Sequence, residues 1–309
     1  MIGEAPIHRA ERCPCCESPA PQTWPALVSP FIAEYVLQSP VSLCWLCECP
    51  SCGFRFFDHR YNETELARLY GKYRGPEYFQ VRHKHEFWYT RRHNETHSAD
   101  QTCAKARQQF LEAYLTLHLD TSGLGRILDY GGDRGQLIPS GMGTERHVFE
   151  VSDTEPVPGV RKISRETDLE PGSYDLVVLS HVLEHVPKPV PMLATLRDLL
   201  RPGSALYVEV PWERYSLRFT GATNYLRRLT QHPGLLRAAD FYATAFRTTF
   251  GFIPPLGFPK LHEHINFFTP ESLDRACRRA GLCLTTCEQK RLPRACGRVE
   301  VLSALARPS

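Results

Sequence analysis

The sequence predicts an α/β protein, a Rossmann-like doubly wound sheet behind a small cysteine-rich N-terminal module. Three observations predict it. An apolar strand runs into a glycine-rich turn and a helical start at RILDYGGDRGQLI. A second, nearly continuous apolar strand, Tyr174–Leu179, is followed by a helical pattern and a third strand, the alternation that builds a parallel sheet. Two Cys-x-x-Cys pairs stand ahead of all of this, Cys13 with Cys16 and Cys49 with Cys52.

Bulk properties bound the reading. The chain has 309 residues, enough for one large domain and a small one, and its 42% hydrophobic content is ordinary for a globular protein. A formal charge of +3 is too small to argue for nucleic acid by itself. No apolar run reaches the roughly 20 residues of a spanning helix. The opening residues lack a signal peptide's apolar core, so a cytoplasmic protein with no membrane partner is expected. Oligomeric state is not legible.

Residues 1–58 read as a zinc ribbon. Seven of the twelve cysteines precede Gly53, a clustering that points to a metal rather than to disulfides in a chain without an export signal. A tight turn with Cys on either side of two residues supplies half of a tetrahedral site, and two such knuckles supply all of it. Cys13, Cys16, Cys49 and Cys52 are the expected ligands of a structural Zn2+. Cys44 and Cys47 have the same spacing and could compete. Between the knuckles, Thr23–Leu27, Val36–Leu37 and Val41–Leu46 read as strands, and Phe54–Phe57 as another.

Residues 59–122 read as a helical linker. Asn62 is a plausible N-cap for a short helix with Leu66, Leu69 and Tyr70 on its apolar face. A longer helical pattern runs from about Val81 to Leu119. The third region is 123–309, with an Arg- and aromatic-rich helical insertion at about 212–260 that would hang over the ligand edge of the sheet. Near its end Thr269 is an expected N-cap with Pro270 at the first helical position, and Cys283–Gln289 and Val299–Leu305 read as a final antiparallel pair.

The residues that carry chemistry follow the strands. Glycine suits a sharp turn against which a ligand lies on bare main chain, as at Gly131, Gly132 and Gly135. RHVFEVSD is a second strand ending in Glu150, 21 positions after Asp129, where a carboxylate can accept both hydroxyls of a ribose. Asp168 and His181 also fall at or just after strand ends, where ligands of such sheets bind.

DYGGDRG resembles the glycine-rich first motif of class I S-adenosylmethionine (SAM)-dependent methyltransferases, with Asp129 at the acidic position and Asp133 where a middle glycine usually stands. YDLVV followed by SHVLEHV resembles the same family's fourth strand, and KLHEHINFFTPESL its element before the last helix. The resemblance implies SAM as cofactor. It places Asp129, Gly131, Gly132, Gly135, Glu150, Asp168, Leu169 and Ser180 around it, with Asp168 and Leu169 at the adenine. Methyl transfer to a hydroxyl needs a base, for which His264, His181 and His262 are the candidates, His264 first. Pairing with a four-cysteine ribbon resembles bacterial enzymes acting on nucleotide-linked sugars and other small metabolites, which implies a small-molecule acceptor. Two other readings compete: an RNA methyltransferase using the ribbon and the basic 60–107 region, and a non-catalytic scaffold. The modest charge and missing basic tail count against RNA.

Overall fold

The computed structural model describes residues 11–19, 21–94, 101–218, 221–294 and 297–309. By contact these form two compact units that interleave along the chain. One joins Glu17–Asn94 to Glu213–Phe267, with the described residues up to Cys13; the other joins the described part of Glu95–Trp212 to Phe268–Ser309, with Pro14–Cys16.

The first unit is built on a five-stranded sheet. β1 (Gln22–Val28), β2 (Leu43–Glu48) and β3 (Arg55–Phe57) form an antiparallel meander. β9 (Lys260–Leu261) adds in parallel beside β1, and β10 (Asn266–Phe267) adds antiparallel beside β3. Val28, Phe31, Ile32, Leu46, Phe57, Leu69, Tyr78 and Leu261 form its buried core. Helix Glu63–Tyr70 begins with a reciprocal cap: Asn62 Oδ1 accepts from the Glu65 amide at 2.9 Å, and Glu65 accepts from the Asn62 amide at 2.8 Å.

Two local expectations change here. Val36–Leu37 belongs to a helical turn, not a strand, because Ser29 caps a helix start with Pro30 at its first position and Gln38 closes the turn at φ 51°. The long helical pattern from Val81 breaks as well. Helix Pro76–His85 stops at Glu86, whose buried carboxylate turns inward to Arg82 and Lys260, and a separate helix spans Gln101–His118.

The second unit carries a seven-stranded sheet in the order β11-β12-β8-β7-β4-β5-β6. β4 (Arg126–Tyr130), β5 (Glu145–Phe149), β6 (Arg161–Ile163), β7 (Tyr174–Ser180) and β8 (Leu200–Pro211) are mutually parallel. β11 (Leu282–Arg294) and β12 (Gly297–Pro308) close the edge antiparallel. β7 is buried on both faces, as its apolar run requires. From β4 the chain moves one way to β5 and β6, then returns to the other side for β7 and β8. The gap between the carboxyl ends of β4 and β7 is therefore the switch point at which such sheets bind ligands. Helix Pro270–Arg279 starts as expected, Thr269 Oγ1 accepting from the Ser272 amide at 3.0 Å. Among the described residues no helix is long and apolar enough to cross a membrane.

Candidate functional site

The turn after β4 lies at that switch point. Gly131 sits at φ 71°, and a Cβ there would come within 2.7 Å of Val182, just past the end of β7. At Gly132 the crowding comes from the other side: an added Cβ would fall 2.1 Å from the Asp129 carboxyl carbon. Asp133 takes φ 54°, a conformation that Asp tolerates better than most residues.

Asp129 is 1% exposed, and neither carboxylate oxygen has a hydrogen-bond partner. Burial pushes its pKa up to about 7; the Arg107 charge opposes the rise, and Asp133 and Glu150 add to it. An unpartnered buried carboxylate costs free energy unless a cation or donor reaches it. Glu150 ties the two glycine-side loops together, accepting from the Asp133 amide at 3.2 Å and from the Ser152 amide at 2.9 Å. Glu150 therefore lies beside the glycine turn.

Asp168 is exposed and makes a two-point pair with Arg165, both contacts at 3.0 Å, while Leu169 next to it is buried. Their turn is tied to the glycine loop through Tyr130, which precedes Gly131 and donates to Glu166 at 2.9 Å.

The end of β7 carries a buried polar network of which the sequence announced only part. Ser180 Oγ donates to Glu209 at 2.9 Å and accepts from Arg107 at 2.9 Å; Arg107 also pairs directly with Glu209. Tyr207 donates to the other Glu209 oxygen at 2.8 Å. His181, at φ 56°, stands 3.3 Å from both Glu184 and Glu209. Burial alone would lower the His181 pKa, but the two carboxylates outweigh it and raise it. Burial alone would likewise raise Glu209, yet His181 and Arg107 hold it well below the usual carboxylate range. The two carboxylates therefore favour proton uptake on the His181 ring. Arg107 and Glu209 are absent from the sequence-level candidates. Glu209 had a signal, a single charge inside the apolar strand ALYVEVP; Arg107, on a distant helix, had none.

The other two histidines belong to the first unit. His262 is largely buried, stacked on Phe31 with its ring 3.2 Å from Glu86, and burial lowers its pKa. His264 Nδ1 lies 2.6 Å from Glu213, whose second oxygen accepts from Arg247 at 3.2 Å. A carboxylate on one ring nitrogen fixes the imidazole's orientation.

The sulfur atoms of Cys13, Cys16, Cys49 and Cys52 lie within 4.8 Å of one another. Cys13 and Cys52 are 3.7 Å apart. That exceeds a disulfide's roughly 2.05 Å and matches the edge of a tetrahedron with about 2.3 Å metal–sulfur bonds, about 3.8 Å. Cys44 and Cys47 lie within β2 instead, and burial raises the Cys44 thiol well above its ordinary pKa.

Comparisons with known proteins identify the family. A model of the methyltransferase domain family matches residues 95–286. A ubiquinone biosynthesis O-methyltransferase from Aromatoleum aromaticum is 25% identical over 176 residues, covering 51% of this chain and 63% of that protein. One from Burkholderia pseudomallei is 29% identical over 113 residues, 37% of this chain and 38% of its own. The chain thus spans less than two thirds of these curated relatives. Among solved structures, a Burkholderia thailandensis 1,6-didemethyltoxoflavin-N1-methyltransferase with bound S-adenosylhomocysteine is 14% identical, with a TM-score of 0.45 over 86% of this chain and 96% of that one. With more than half its length matched by the family model, the chain belongs to the methyltransferase domain family.

Proposed function

We propose that this chain transfers a methyl group from SAM to a small-molecule acceptor. The observation that carries the reading is the buried, unpartnered Asp129 carboxylate beside a bare glycine turn at the sheet's switch point. The residues there fit SAM: Asp129 would meet the methionine ammonium, Glu150 the ribose hydroxyls, and Leu169 the adenine ring, with Asp168 exchanging Arg165 for the adenine amine. When bound, SAM supplies an electrophilic methyl; the chain holds the donor, keeps water out and manages the acceptor's proton. Calorimetric titration with SAM tests this directly, since a scaffold without cofactor shows no heat of binding. Glu150→Ala is expected to weaken SAM by about 10- to 100-fold, the worth of charge-assisted hydrogen bonds, with the fold retained by circular dichroism.

The names of the curated relatives favour a hydroxyl acceptor, which must lose a proton on methylation. The Glu213–His264 pair is our choice of base, because the carboxylate orients the ring. His264→Asn is expected to lower turnover by about 100-fold or more while leaving SAM affinity unchanged. A nucleotide-linked sugar is the acceptor class we would screen first. Label from SAM appearing in RNA rather than in small molecules would overturn the acceptor assignment.

The four clustered cysteines are read as a Zn2+ site. With four thiolates no coordination position is left for substrate, so the metal's role is structural.

A further inference from the structure

The helical segment following β8 has a composition that the methyl-transfer reading does not use. From Arg214 to His262 there are six Arg and one Lys but a single acidic residue, Asp240. Asp240 is buried and paired with Lys260, so it offers no negative charge to the surface. Five of the eight exposed large apolar side chains among the described residues fall between Leu235 and Leu256. Leu235, Phe241 and Tyr242 project from helix Pro233–Phe250, whose Leu236, Asp240 and Ala243 face inward; Phe250 ends it, and Leu256 follows in the loop. Leu235 and Leu256 are 63% and 65% exposed, far more than side chains serving a core.

The apolar and basic groups are neighbours. The ring of Phe87, itself exposed, lies 5.1 Å from that of Phe241, and the Arg237 guanidinium stands 5.6 Å from the Phe87 ring. Arg227 and Arg228 are exposed on the preceding helix, Thr223–Thr230. Phenylalanine, tyrosine and leucine projecting among arginines, with no surface carboxylate in the segment, is the composition of a helix lying in the plane of a membrane interface. Phosphate headgroups satisfy the arginines while the rings enter the acyl boundary. Uncharged apolar partners would leave the arginines unmatched, and a nucleic acid would leave the leucines so.

We infer that the 223–256 segment is a peripheral docking surface for anionic lipid bilayers, the face by which the protein binds a membrane without spanning it. The full-length protein should co-sediment with vesicles of phosphatidylcholine and phosphatidylglycerol but not with phosphatidylcholine alone, and high salt should release it. The triple variant Arg227→Gln, Arg228→Gln, Arg237→Gln should partition roughly 100-fold less, at about five-fold per arginine. The triple variant Phe241→Ser, Phe250→Ser, Leu256→Ser should lose binding as well, while circular dichroism and SAM titration stay as in the parent. These outcomes are independent of methyl transfer. Equal binding to neutral vesicles, no binding to either, or a parent dimer in light scattering that the Phe241 variant abolishes would each overturn the assignment.

Discussion

On the zinc reading, Cys49→Ser is expected to strip one metal ion from the protein and to destabilise the sheet that contains β1, β2 and β3. Four sulfurs of the same chain converge, so a bound ion would make ion binding and folding one equilibrium. Apparent binding energies of structural zinc sites run to about 10–16 kcal/mol. This sheet also has a substantial apolar core, so only part of such a sum should appear as lost stability. A loss of about 5 kcal/mol would lower the melting temperature by roughly 10–20 °C for units of this size. Mass spectrometry under native conditions should show one ion in the parent and none in the variant. Cys44→Ser should keep the ion, since its sulfur is outside the cluster. Retention of full metal content by Cys49→Ser would remove the zinc reading.

Asp129→Asn is expected to weaken SAM by about 100-fold or more, because it deletes one half of a buried charge pair. The same carboxylate makes affinity depend on pH. Free, it titrates at about 7; facing an ammonium, it stays ionised to much lower pH, so binding below neutrality releases a proton. Affinity should therefore climb as pH rises toward 7 and level off above it, and calorimetry in buffers of different ionisation enthalpy should count the proton. The Asn variant should show neither. Stability without ligand runs in the opposite sense. The folded pKa exceeds the ordinary value of 3.8, so this group's contribution is intact below about 3.8 and is lost as pH rises through about 7. The full difference corresponds to roughly 4 kcal/mol. The ligand-free variant should accordingly lose less stability than the parent between pH 4 and 8. A residue that merely props the turn would give equal affinity losses at every pH and no proton count.

The parts of the molecule read correctly from sequence are those whose signals are local. The strand entering DYGG, the carboxylate closing the next strand, and the caps at Asn62 and Thr269 each declare themselves within a few residues. Spacing was equally sufficient for the four cysteines whose sulfurs converge. What was hidden depends on distant partners. β9 and β10 are two residues long and carry no periodicity; only pairing with β1 and β3 makes them strands. The end of helix Pro76–His85 is set by Glu86 turning to Lys260, far along the chain. Arg107, on a helix, was invisible for the same reason, since its partners Ser180 and Glu209 come from two strands far along the chain.

The five-stranded sheet also fixes an order of assembly during synthesis. Its meander is complete once Phe57 has emerged, but the strands that flank it on both sides leave the ribosome about two hundred residues later. For that interval a nascent chain exposes two raw edges able to pair with a neighbour. Both cysteine turns are already present then, so if they bind the proposed zinc, its capture would precede completion and hold the young meander in register while translation proceeds. On that reading, synthesis without zinc is expected to leave an early fragment with open edges, prone to clump.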